Sequence, residues 1–199
     1  MGHHLDKESA EAALQPILAT LRQCIDDAWA EWKTFYAPKH PVLDARARAA
    51  VVNCHIIERA KILFNGVDDV KVGSRNGIFR LFVGGEIALR FKKARRDGST
   101  SNISTNQQKL IDMQLTIPGI LPGTMLNAVY LLDQLQQDIK DMQVTLQLNR
   151  RIKWSIPLPQ DVSGPSAVMP APKLPPEAQT PRRARVKGLI PNKKRQIAE

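Results

Sequence analysis

The chain of 199 residues contains no long apolar run. None of its stretches approaches the ~18 uninterrupted apolar residues that a membrane-spanning helix needs. Residues Met1 to Asp6 form no apolar core of the kind found in secretory signal peptides. The sequence therefore predicts a protein that is not secreted, acts in the cytoplasm and does not engage a membrane.

Cysteine is scarce, with Cys24 and Cys54 as its only occurrences. A disulfide framework needs more cysteines in a smaller secreted chain. Cys54 has His55 beside it, but no other Cys or His lies at the spacing of a zinc site. We predict two buried thiols in a reducing compartment, no metal and no cofactor.

The usual catalytic patterns are also missing. The sequence has no Walker loop, no Gly-x-Gly-x-x-Gly, no Gly-x-Ser-x-Gly and no His-Glu-x-x-His. A metal nuclease of the restriction type needs a second carboxylate two residues before its lysine. Asp69, Glu86 and Lys92 suit that pattern, but Arg90 stands where this carboxylate belongs. These absences favour a protein that works by binding rather than by catalysis.

Proline is concentrated at the C-terminal end. Nine of the fourteen prolines lie at or after Pro157, and proline removes a backbone donor and fixes φ. With few large apolar residues to offset the entropy of ordering, residues 160–199 are predicted to be a largely disordered basic tail. The globular domain is then 1–159.

The first part of this domain is predicted to be helical. Apolar residues from Leu14 to Phe35 recur at steps of three and four, which predicts a helix over about 7–36. Pro16 marks either a kink in this helix or a later start near Leu14. A second helix is expected over about 42–65, with Asp44 in its first turn and Asn65-Gly66 at its end. Pro38 and Pro41 separate the two, so we expect an antiparallel helix pair.

The pattern changes to strands from residue 67. Asn76-Gly77 and Gly84-Gly85 separate β-rich runs and predict three antiparallel strands. After a loop, with a short helix expected over 106–113, a strand from Leu126 and a hairpin turning at Asn149-Arg150 predict a three-stranded meander. The fold class is therefore α+β, with two N-terminal antiparallel helices packed on a mostly antiparallel sheet over 67–158.

Positive charge is unevenly distributed. The chain carries 29 Lys+Arg against 19 Asp+Glu, a net +10. Residues 59–96 alone hold ten basic and three acidic side chains, and the tail has a net +5. Arg90 and Lys92 alternate with Leu89, Phe91 and Lys93 on one strand, and Arg80 on the next strand joins them if the register allows. An exposed cationic strip of this kind suits a phosphate backbone or an acidic protein.

The predicted binding residues fall into three groups, namely the strip, the polar segment after it and the tail. They are Arg75, Arg80, Arg90, Lys92, Lys93, Arg95 and Arg96; Asn102 and Gln107; and Arg182, Arg183, Arg185, Lys193, Lys194 and Arg195. The alternative for the strip is a solvated sheet face without a partner.

A catalytic alternative rests on Arg48 and His55. These residues lie two helical turns apart and so share a helix face. Their spacing resembles that of the small helical ribonucleases of the HEPN class, in which the His acts as base and the Arg holds the phosphate. The β-rich remainder departs from that helical fold, which favours a structural His beside a surface Arg.

Three segments carry a resemblance to a known group of proteins. They are Leu89-Arg90-Phe91-Lys92-Lys93, the polar stretch from Ser101-Asn102 to Gln107-Gln108, and Ile152-Lys153-Trp154-Ser155-Ile156-Pro157. Together they resemble uncharacterised bacterial and phage proteins often encoded beside Xre-type or metallopeptidase-type regulators. The resemblance covers residues 42–158. It implies a toxin–antitoxin-like or phage–host conflict module and supplies no active-site residues.

We therefore expect a non-enzymatic binding protein of such a module, which engages nucleic acid or a cognate protein through its basic strip. Two alternatives stay open at this point. One is a toxin-like ribonuclease that uses Arg48 and His55, and the other is a pure protein-interaction module of the antitoxin or inhibitor kind. The sequence leaves homo-oligomerisation open as well.

Overall fold

The computed structural model describes residues 5–39, 42–75, 78–100, 123–148 and 151–160. Within these residues three α-helices come first: α1 (Lys7–Leu14), α2 (Leu18–Glu31) and α3 (Ala45–Leu63). The described part of the chain then forms six strands: β1 (Val70–Arg75), β2 (Ile78–Val83), β3 (Ile87–Lys93), β4 (Thr124–Leu132), β5 (Ile139–Leu148) and β6 (Arg151–Pro157). The α+β class is confirmed.

Local chemistry explains the helix boundaries. The carboxylates of Asp6 and Asp44 accept hydrogen bonds from the amides of Ser9 (2.9 Å) and Ala47 (2.7 Å), which caps α1 and α3. Pro16 lies in a 3₁₀ turn, Gln15–Ile17, which divides the first predicted helix into α1 and α2 and confirms the kink. After α2 the chain winds through a π-helical turn, Trp32–Tyr36.

The sheet has the order β1-β2-β3-β4-β5-β6. The first three strands are antiparallel, and so are the last three, which confirms the two predicted meanders. The meanders join through a parallel pair, β3 and β4, in which Ile87 lies beside Thr124 and Lys93 beside Tyr130. Two predicted turns, Asn76-Gly77 and Asn149-Arg150, lie outside the described residues, as do the helix predicted over 106–113 and residues 161–199 of the tail.

The main core lies between the helices and one sheet face. Helix residues such as Leu21, Ile25 and Ile56 form one buried cluster with sheet residues such as Leu89 and Leu126. Burial of such a face is the main contribution to the stability of an amphipathic helix pair. Within the described residues, no helix is long and apolar enough to cross a membrane.

The two cysteines have different environments. Cys24 is buried in the core, where burial and then the nearby Asp27 charge raise the pKa of its thiol to about 12. Cys54 is exposed, so the prediction of two buried thiols is wrong for Cys54. Its position two residues after the buried Val52 places it on the solvent side of α3.

Candidate functional site

The parallel pairing of β3 and β4 gathers positive charge at one edge of the sheet. Because the carboxyl ends of parallel strands meet at the same edge, the residues that end and follow β3 lie beside the end of β4. Arg48 reaches this edge from α3, and its guanidinium donates a hydrogen bond to the turn between β4 and β5. We call the set of Arg48, Lys92, Lys93, Arg95 and Arg96 the cationic edge. Arg75 is the last residue of β1, and the register of β1, β2 and β3 places it at the same edge of the sheet as the end of β3.

Arg48 and Lys93 converge on one residue, Gln136, in the β4–β5 turn. The Arg48 guanidinium donates to the backbone oxygen of Gln136 (3.3 Å) and to its side-chain oxygen Oε1. The Lys93 Nζ donates to the same Oε1 at 3.1 Å. The ion pairs found within the described residues involve neither Arg48 nor Lys93. Two cations thus share a neutral acceptor.

The pKa values of both lysines are lowered, first by burial and then by a neighbouring positive charge. Burial lowers the pKa of Lys93, and the charge of Arg48 lowers it further. Burial also lowers the pKa of Lys92, with a second contribution from Arg90. In both cases the protonated form loses hydration and meets a like charge. An anion bound beside either lysine would favour its protonated form and so oppose the lowering of its pKa.

Arg95 and Arg96 are exposed on a turn with a fixed backbone. The Arg95 amide donates to the Ser99 oxygen (2.7 Å), and the Gly98 amide donates to the Arg95 oxygen (2.9 Å). The Asp97 carboxylate accepts from the Ser99 amide (3.0 Å) and hydroxyl (2.7 Å). These bonds lower the pKa of Asp97, with a smaller contribution from the Arg95 charge. Two arginines are therefore presented to solvent on a rigid support.

The turn after β3, which contains Arg95, Arg96 and Gly98, packs on the sheet face opposite the helices. A Cβ at Gly98 would lie 3.0 Å from Cδ1 of Ile152 and 3.6 Å from Nε2 of Gln143. Gly98 also has φ +78, a conformation that favours glycine. Thr100 donates its hydroxyl to the side-chain oxygen of Gln147 at 2.9 Å. The chain after β3 thus folds back over β5 and β6.

The prediction of an open cationic strip is wrong for two of its residues, because Arg80 and Arg90 are buried. Arg80 and Arg90 do lie on the predicted face with Lys92, but they are only 2% and 6% exposed. The Arg90 Nε donates to Oδ1 of the buried Asn127 at 2.6 Å. Lys93 lies on the opposite, helix-side face, as its alternation with Lys92 requires. Two residues of the predicted strip, Arg80 and Arg90, are therefore buried, whereas four others belong to the cationic edge, namely Lys92, Lys93, Arg95 and Arg96.

Several predicted binding residues lie outside the described residues. They are Asn102, Gln107, Arg182, Arg183, Arg185, Lys193, Lys194 and Arg195.

The structure gives Arg48 and His55 different partners. His55 Nδ1 lies 3.1 Å from Oε2 of Glu31, which also accepts from Arg59 at 3.1 Å. Arg48 instead contacts Gln136, and seven residues of helix correspond to a rise of about 10 Å. His55 therefore links α3 to α2, while Arg48 links α3 to the sheet. The structure does not join them in one catalytic pair.

Gln136, Asn127 and Tyr130 belong to this region and were missed by sequence reasoning. Burial raises the pKa of Tyr130, and the charge of nearby Arg48 opposes that rise. Their contacts join residues that are 37 to 88 positions apart in the chain. Local patterns carry no signal for such pairs.

No protein-family model, curated protein or solved structure matches the chain. The resemblance to proteins of conflict modules and the cytoplasmic location stay predictions.

Proposed function

We propose that the protein binds nucleic acid through the cationic edge. One observation supports this proposal above the others: the parallel β3–β4 pair assembles five cations at a single edge of the fold. Phosphate contacts supply most of the sequence-independent affinity of nucleic-acid-binding proteins, and they come mainly from Arg and Lys. The set here contains three arginines and two lysines.

The two exposed arginines are suited to the first contact with a phosphate backbone. Their turn is held by its own backbone hydrogen bonds, so little backbone entropy is lost when they bind. Lys92, half-buried beside them, adds a third charge. Arg80 and Arg90 lie beneath the surface and take no direct part. The basic residues of the tail add non-specific attraction that strengthens binding at low salt.

The test is the salt dependence of binding to a labelled double-stranded oligonucleotide, measured by fluorescence anisotropy on the full chain. Replacing Arg95 and Arg96 together with Ser removes two phosphate contacts. We expect the slope of log affinity against log salt to become shallower by about 2, with weaker binding at low salt. The matched control is the double variant Lys61→Gln and Lys71→Gln, which removes two exposed charges elsewhere and should leave the slope close to that of the original chain.

Two results would count against the proposal. The first is an original chain whose affinity does not change with salt. The second is an equal loss of slope in both double variants, since that would show a general effect of net charge. Repeating the titration with single-stranded RNA identifies the preferred class of nucleic acid.

A further inference from the structure

The contact between Arg48, Lys93 and Gln136 has the features of a site for a single anion. The three nitrogens that donate to Gln136, two from the guanidinium and one from the ammonium, approach it from a helix and a strand. The Arg48 Nε is buried and makes no hydrogen bond to any described residue. A further donor of the guanidinium fork is therefore unused.

Gln136 satisfies hydrogen bonds here but not charge. Its amide oxygen is neutral, and neither cation forms an ion pair with any of the described residues. Burial lowers the pKa of Lys93, and the positive charge of Arg48 lowers it further. A planar guanidinium beside an ammonium is a combination that proteins use for phosphate, because the fork binds two oxygens and the ammonium adds a point charge. The combined charge of the pair also matches that of a phosphate monoester at neutral pH, between about −1.5 and −2.

We propose that Arg48 and Lys93 form a binding site for one tetrahedral oxyanion of the phosphate-monoester type. The Gln136 side chain gives up its place on the two cations by rotating about its own torsions. Its backbone stays where it is, because the Gln136 amide donates to the Asp133 oxygen at 3.1 Å and the turn closes through Asp133 and Asp138. No rearrangement of the sheet is needed.

Two sources supply this chemistry, free inorganic phosphate and the terminal phosphate of a nucleic acid. Binding of a terminal phosphate of nucleic acid rests on the proposed function, whereas binding of free inorganic phosphate does not. Arg95 and Arg96 take no part in this site. A failure of the proposed function and a failure of this proposal are therefore distinguishable.

The decisive variant is Gln136→Glu, which has almost the same shape and places a carboxylate on the two cations. We expect it to bind inorganic phosphate at least about tenfold more weakly than the original chain, because the new carboxylate competes for the same donors. Its melting temperature without phosphate should rise. Gln134→Glu is the matched control: it adds the same charge to an exposed position of the same turn, and it should bind phosphate as the original chain does.

The measurement is calorimetric titration with inorganic phosphate at constant ionic strength, on the full chain and both variants. One saturable site in the original chain and in Gln134→Glu, lost in Gln136→Glu, supports the proposal. Phosphate binding that survives Gln136→Glu would overturn it.

A second arm identifies the source by comparing a 5′-phosphorylated oligonucleotide with the same strand ending in a hydroxyl. A preference for the phosphorylated end that disappears in Gln136→Glu supports the nucleic-acid terminus. Equal binding of the two strands, together with saturable binding of inorganic phosphate, supports the free anion. Absence of both inorganic phosphate binding and end preference would overturn the site.

Discussion

Replacing Asn127 with Ala is expected to lower the free energy of unfolding by about 3 kcal/mol. Asn127 is buried on the sheet face opposite the helices, and its Oδ1 accepts the hydrogen bond from the Arg90 Nε. Removing the acceptor deprives a buried guanidinium of this bond, and hydrogen bonds to buried charged groups are among the most costly to lose. Urea denaturation of the full chain measures the change.

The control for this substitution is Asn127→Asp. The variant keeps an oxygen in the position of Oδ1 and adds a negative charge beside Arg90, so we expect it to lose clearly less stability at neutral pH than Asn127→Ala. Equal losses in the two variants would contradict the role assigned to the Arg90–Asn127 bond.

Replacing Gly123 with Ala is expected to have an effect of similar size, about 3 kcal/mol, through a steric clash. A Cβ at this position would lie 2.4 Å from the carbonyl oxygen of Glu86 and 2.9 Å from its carbon. These are backbone atoms that cannot rotate away. The beginning of β4 would have to shift, which endangers the hydrogen bond from the Thr124 amide to the Glu86 oxygen (2.7 Å) that starts the parallel pair.

Gly66→Ala separates this clash from the general cost of replacing a glycine. Gly66 follows α3 with φ +77, and a Cβ there would have no neighbour within 4 Å. The substitution should cost only about 1 kcal/mol, from the left-handed backbone alone. Denaturation of both variants compares the two costs. If Gly123→Ala lost no more stability than Gly66→Ala, the close approach of β4 to Glu86 would be refuted.

Local patterns were sufficient to predict the helices and the two meanders. The three- and four-residue spacing of apolar residues located α2 and α3, and the effect of Pro16 followed from its missing amide. The Gly84-Gly85 pair correctly separated β2 from β3, since both glycines have positive φ. Each of these features depends on residues that are close in the chain.

The pairing of β3 with β4 did not follow from such patterns. The residues between the two strands, 94–123, give no local signal for a parallel neighbour, and the pairing decides which side chains meet at the cationic edge. Alternation correctly separated Lys92 from Lys93. It did not show that Arg80 and Arg90 would be buried, because burial depends on contacts between residues distant in the chain, such as that of Arg90 with Asn127.

The most direct test of the cationic edge is ultraviolet cross-linking of the full chain to an oligonucleotide that carries photoreactive bases, followed by identification of the linked peptides. Binding through this edge predicts cross-links within residues 92–100 and 133–138, alongside any in the tail. Cross-links confined to the tail, or to the opposite edge around Lys61 and Lys71, would contradict it.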